Sequence, residues 1–114
     1  MFRFRLIVAT LGVSVLLYTM AILPEHGLAF VPVFVTDLAG LSWRGQFNLD
    51  FACYLVLSAL WVAWRGGFSR AALGLAAVAS VAGILFLAPY LIWLSLHAQG
   101  DVKALLLGVH HDTA

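Results

Sequence analysis

Apolar residues fall in three long runs along the chain, and the polar residues within each run recur at helical spacing. The first run extends from Leu6 to about Leu23 and is closed by Pro24. A helix of that length is about 27 Å long, close to the roughly 30 Å hydrocarbon thickness of a bilayer. The second run, residues 47–64, is of similar length. The third, residues 71–97, would measure about 40 Å as one straight helix, so it has to tilt, bend or protrude. Pro89 supplies a bend, because it cannot donate to the carbonyl of Leu85. Arg65-Gly66-Gly67-Phe68-Ser69-Arg70 reads as a short basic turn between the second and third runs.

The segment from Pro24 to Gln46 is too long for a tight turn and too apolar for a solvated loop. Phe30, Val31, Phe34, Leu38 and Leu41 recur at helical spacing, Pro32 suits a first turn and Gly40 suits an end. This predicts a short interfacial helix near residues 30–40 on the outer face. Asp101 reads as a cap for a further apolar piece, Val102 to Leu107, at the outer interface. The expected fold is therefore all-α: one integral membrane domain over residues 1–114. It has three transmembrane helices, at about 6–23, 47–64 and 71–97.

Composition supports this class. Hydrophobic residues make up 64 % and charged residues 10 % of the chain, against roughly 45–50 % and 25 % in a soluble domain. Too few charges remain to cover a water-facing surface, so the bilayer has to act as solvent. A net charge of +1 gives no basic footprint for nucleic acid. The start, Met1 to Ile22, has a basic end before an apolar run longer than a signal core, and reads as a retained signal anchor.

Charge placement sets an expected topology. Arg3, Arg5, Arg65 and Arg70 fall in the segments on one side of the spans. Glu25, Asp37, Asp50, Asp101 and Asp112 fall on the other, with Arg44 and Lys103. The positive-inside rule then places the N-terminus inside and the C-terminus outside. Trp43, Tyr90 and Trp93 fit an outer aromatic belt, and Trp61 and Trp64 an inner one.

Small and polar residues form one stripe per span: Thr10, Ser14 and Tyr18; Asp50, Tyr54 and Ser58; Ala72, Ala76 and Ser80, with Ala79 and Gly83 beside them. Lipid rewards neither smallness nor polarity, so such stripes are expected to face other helices. Ser14, Ser58 and Ser80 lie at similar depth and are expected to meet as a packing layer. The competing reading is that each serine bonds its own backbone.

The densest polar cluster is Trp43-Arg44-Gly45-Gln46-Phe47-Asn48-Leu49-Asp50. An acid within a span is a functional candidate. Asn48 as a helix cap, with Asp50 in the first turn, accounts for the same residues structurally. His26, His97, His110 and His111 fall on the outer side with acids nearby, but their spacing matches no closed metal motif. They are weak metal candidates, and no particular cofactor is implied. Cys53 is the single cysteine and has no base beside it, so it reads as a small hydrophobe. No nucleophile–base constellation is evident, and Asp37 and Asp50 are the one near pair of acids.

Three features occur in a familiar order: Gln46-Phe47-Asn48-Leu49-Asp50, then Trp61-Val62-Ala63-Trp64-Arg65, then Leu87-Ala88-Pro89-Tyr90-Leu91. Residues 20–95 on this basis resemble a family of uncharacterised small three-helix integral membrane proteins of bacteria and plants. Asp50 and Pro89 match that family's recognisable positions, and the acidic, histidine-bearing tail departs from its basic end. The resemblance implies a fold but no activity; the expected location is a bacterial cytoplasmic (inner) membrane.

The expected function is a non-enzymatic membrane protein: an accessory subunit or helix-packing module that contacts lipid and a protein partner or a second copy of itself. The alternative is a transporter-like or lipid-, quinone- or pigment-binding protein. Its expected site is at the outer leaflet, formed by Arg44, Asp50, Tyr54, Tyr90, Trp93 and His97.

Overall fold

The computed structural model describes residues 2–27 and 30–113. The chain is all-α, with no strand among the described residues. Its helices are α1 (Phe2–His26), α2 (Phe30–Ala39), α3 (Trp43–Arg65), α4 (Arg70–Ala82), α5 (Ile84–Ala98) and α6 (Val102–Leu107), followed by a 3-10 helix, Gly108–Thr113. The molecule is elongated, 47 × 26 × 24 Å.

Two helices, α1 and α3, are long and apolar enough to cross a membrane. Only 6 % of the apolar window of α1 and 11 % of that of α3 is buried within the protein. Leu6, Ile7, Leu11, Leu17 and Met20 on α1, and Phe47, Leu49, Val56, Leu57 and Leu60 on α3, are exposed. α1 passes through Pro24 and ends two residues later.

Residues 71–97 do not form one long helix. The chain breaks at Gly83 (φ 61°, ψ −131°) and turns back on itself. The glycine is required there twice over. An L side chain is strained at that φ, and a Cβ would meet Phe51 Cζ at 3.2 Å and Leu55 Cδ2 at 3.3 Å. Pro89, expected to bend this segment, instead lies within α5. At 13 and 15 residues, α4 and α5 are only about 20 and 22 Å long, each short of a full crossing. They fold into a hairpin in which Leu75 of α4 faces Pro89, Tyr90 and Trp93 of α5 across a shared groove.

The hairpin lies between the two long helices. α4 packs on α3 through its small face: Ala72, Ala76, Ala79 and Gly83 are all buried. Their size lets the backbones approach closely, and a Cβ on Gly66 would collide with that of Ala72. α5 packs on α1, where a Cβ on Gly12 would meet Ala88 Cβ at 2.8 Å. Arg5 ties the start of α1 to the end of α5: its Nε donates to Ser95 Oγ at 2.8 Å and its Nη2 to the Ser95 carbonyl at 3.2 Å. The core is Val62, Ala63, Ala76, Ala79, Tyr90, Leu94 and Leu105.

The fold-back moves the C-terminal segment. The expected outer position of residues 101–113 placed them opposite Arg65. In the structure Arg65 Nε donates to the Leu105 carbonyl at 2.7 Å, its Nη2 to that of Ala104 at 3.2 Å, and Trp61 Nε1 to that of Leu106 at 3.0 Å. The start of α1 and the C-terminal helical segment therefore lie with Arg5 and Arg65, at one end of the molecule.

Candidate functional site

At the other end of the molecule, α2 is held against the start of α3. Ser42 caps α3, its Oγ accepting from the Gly45 amide at 3.3 Å. Asn48, read in the sequence as the cap, lies further along α3, and its Nδ2 donates to the Phe34 carbonyl of α2 at 3.4 Å. Gly45 is buried because α2 passes directly over it; a Cβ there would meet the Asp37 carbonyl oxygen at 2.5 Å. Arg44 Nε lies 3.9 Å from Asp37 Oδ1, with the arginine side chain 81 % exposed and the aspartate 21 %. An exposed pair at that distance contributes little.

Pinned on α3, α2 stands off from α1 and leaves a cleft of about 640 Å³ between them. α1 contributes Ile22 and Glu25, α2 contributes Phe30, Val33, Phe34 and Asp37, and α3 contributes Asn48 and Phe51. A second lobe of about 440 Å³ shares Phe30, Phe34 and Phe51 and continues along α3 to Ser80 and Val81 of α4. The walls are apolar, and the polar lining is acidic or amide. This arrangement can bind, and among the described residues that line it there is no nucleophile with a base to activate it.

Comparison with protein-family models, with curated proteins and with solved structures returns no match. The reading of the site therefore rests on its own chemistry.

The expected outer-leaflet site is not assembled. Arg44, Asp50 and Tyr54 belong to α3, while Tyr90, Trp93 and His97 belong to α5, which the turn at Gly83 carries to the opposite end. Tyr90 meets Trp61 edge to face at 6.2 Å, and Trp61 is about 26 Å along α3 from Arg44. The two aromatic belts are corrected by the same contact: Tyr90 and Trp93 belong with Trp61 and Trp64. Asp50 and Tyr54 are exposed on α3 and do not line the cleft.

The serine layer is not formed either. Ser14 donates to the Thr10 carbonyl at 2.7 Å, Ser58 to that of Leu55 at 3.0 Å and Ser80 to that of Ala77 at 2.7 Å. Each hydroxyl is satisfied within its own helix, which is the competing outcome for serine in an apolar helix.

The histidines are dispersed. His97 Nδ1 lies 2.9 Å from the Trp93 carbonyl. His110 stacks on Trp64 at 4.2 Å, with Nε2 2.8 Å from the Trp64 carbonyl. His111 Nε2 lies 3.0 Å from Asp101 Oδ2. The side chain of His26 lies outside the described residues. Among the described residues, no three His, Cys, Asp or Glu side chains gather as a metal site. Asp101 caps α6, its Oδ1 accepting from the Ala104 amide at 3.2 Å. That bond first, with help from His111, holds its carboxyl below the usual carboxylate range.

Gly45 and Ser95 were not marked as site or packing residues by sequence pattern, and Glu25 entered only as an acid near the weak metal-candidate histidines. Ser42, three positions before Gly45, was legible as a cap. Nothing local marks Ser95 as the partner of Arg5, ninety positions away.

Proposed function

We propose that this protein is a small non-enzymatic integral membrane protein that serves as an accessory subunit or helix-packing module of a membrane complex. The observation that carries this reading is the exposed apolar surface of α1 and α3, with 6 % and 11 % of their apolar windows buried. Soluble proteins rarely leave contiguous apolar patches above a few hundred Å² in water. Lipid and partner helices provide the missing cover.

On this reading α1 and α3 cross the bilayer and the α4–α5 hairpin enters it from the arginine-rich end and returns. The turn at Gly83 touches Phe51 and Leu55, roughly 15–21 Å along α3 from Arg65, and so lies within the hydrocarbon layer. α5 starts there without a side-chain cap. Uncapped backbone at membrane depth is tolerated where protein covers it. α1 and α3 cover two sides of the hairpin, and a partner covering its open groove completes the arrangement. Membrane location follows from the same surface, with the N-terminus inside.

The test begins with carbonate extraction of membranes that contain the protein, followed by gentle solubilisation and native mass spectrometry. The expected result is retention in the membrane pellet and a complex of fixed stoichiometry, with other subunits or with further copies. Release by carbonate removes the membrane assignment. A monomer carrying only lipid removes the subunit role.

A further inference from the structure

The cleft between α1 and α2 joins apolar walls to an acidic end, so its chemistry is directional. We propose that it binds a membrane-dissolved cationic amphiphile, with a primary ammonium head at Glu25 and Asp37 and an apolar body among Phe30, Phe34 and Phe51. At about 640 Å³, continued by a lobe of about 440 Å³, it has the size of a small-molecule site. The three phenylalanines are common to both lobes, so an apolar chain passing from one to the other stays in contact with them.

The polar part presents acceptors. Glu25 makes no hydrogen bond or ion pair among the described residues. Asp37 is half-buried, and its ion pair with Arg44 is long and exposed on the arginine side. Asn48 spends its amide N–H on the Phe34 carbonyl, which leaves its side-chain oxygen as an acceptor. A primary ammonium offers three donors and no acceptor, which complements two carboxylates and an amide oxygen. The carboxylates come from opposite walls, α1 and α2, so acceptors line the cleft on both sides. An anionic head meets like charge there, and a neutral one offers the carboxylates no counter-charge.

The experiment uses the whole protein in phosphatidylcholine nanodiscs. The probe is a photoactivatable primary alkylamine, compared with the same chain ended by a carboxylate, and adducts are mapped by mass spectrometry. The amine is expected to label residues 30–34 and 51–55 at least about tenfold more than the carboxylate, because like-charge juxtaposition is strongly unfavourable. Glu25→Gln is expected to cut that labelling several-fold. This side chain is exposed and makes no bond among the described residues, so the variant is expected to keep its unfolding midpoint. Asp50→Asn, outside the cleft, is expected to label as the parent does. Equal labelling by both probes, adducts spread along the lipid-facing sides of α1 and α3, or unchanged labelling in Glu25→Gln overturns the proposal. None of these outcomes bears on the subunit reading, which is decided by the mass of the complex.

Discussion

Gly83 and Gly74 separate two uses of glycine within one helical hairpin. Gly83 has φ 61° and two apolar side chains within 3.3 Å of where a Cβ would stand. Gly74 has open space around it. Gly83→Ala is expected to destabilise by about 1–3 kcal/mol, the usual cost of a residue held in a sparsely populated backbone region. Gly74→Ala is expected to be neutral or to stabilise by up to about 1 kcal/mol, from helix propensity. Unfolding by a denaturing detergent, followed by circular dichroism, measures both; equal effects would show that the turn is not strained. Asp101 gives a second prediction at this scale. Its folded pKa is lowered, so the cap's contribution is complete above the ordinary value of about 3.9 and is lost as pH falls through the lower folded value. The Trp61 indole N–H bonds the Leu106 carbonyl, and its NMR resonance reports whether α6 is docked. It is expected to show an acid transition below about pH 4. Asp101→Asn keeps a capping oxygen but no titration, and is expected to lack the acid transition. The same transition in that variant would assign the effect to another group.

At the scale of elements, the small face of α4 decides where packing is spent. Ala76 is 8 % exposed and Ala79 0 %, and both are covered by α3 of the same chain. Ala76→Leu is therefore expected to cost about 1–3 kcal/mol through overpacking, lowering the stability of the protomer itself. Ala77→Leu, on the exposed side of α4, is expected to leave that stability unchanged. If Ala76→Leu altered only the oligomeric state, at constant unfolding midpoint, the face would belong to a partner. The smallness of this face was legible in the sequence, because its period matches a helix; the identity of the neighbour was not. The first two long helices were legible for the same reason, as unbroken apolar runs bounded by Pro24 and by Arg65-Gly66-Gly67. The fold-back was not, because Gly83 sits between apolar residues on both sides and the whole run has a length that spans. Pro89 is the stronger breaker by composition, yet inside α5 it removes one hydrogen bond, whereas Gly83 reverses the chain. The cleft was hidden too, because Glu25 and Asp37 come from separate helices and Asn48 was assigned to capping, a role that Ser42 fills.

For the whole molecule, the fold-back changes the distribution of charge between its two ends. Arg3, Arg5, Arg65, Arg70 and Lys103 gather at the end where α1 starts and α6 docks, so five of the six basic residues share it. Only Arg44 remains at the other end, with Glu25, Asp37 and Asp50. A single through-going third span would divide the basic residues four to two. Orientation follows the lysine and arginine bias of short flanking segments and depends little on acids, so the hairpin arrangement is the more strongly oriented of the two. On the proposed membrane reading, α1 is expected to start, and the C-terminal 3-10 helix to lie, on the cytoplasmic side. Single-cysteine variants in a Cys53→Ser background measure this with a membrane-impermeant thiol reagent. Ser69→Cys marks the α3–α4 turn, Gln99→Cys the end of α5 and Ser42→Cys the start of α3. Positions 69 and 99 are expected to react from the same side and position 42 from the opposite one. If 99 reacted with 42 instead, residues 71–97 would cross the bilayer, and Arg65 could not reach the carbonyls of Ala104 and Leu105. The contacts of Arg65 and the side from which Gln99→Cys is labelled are thus one structural fact read in two ways.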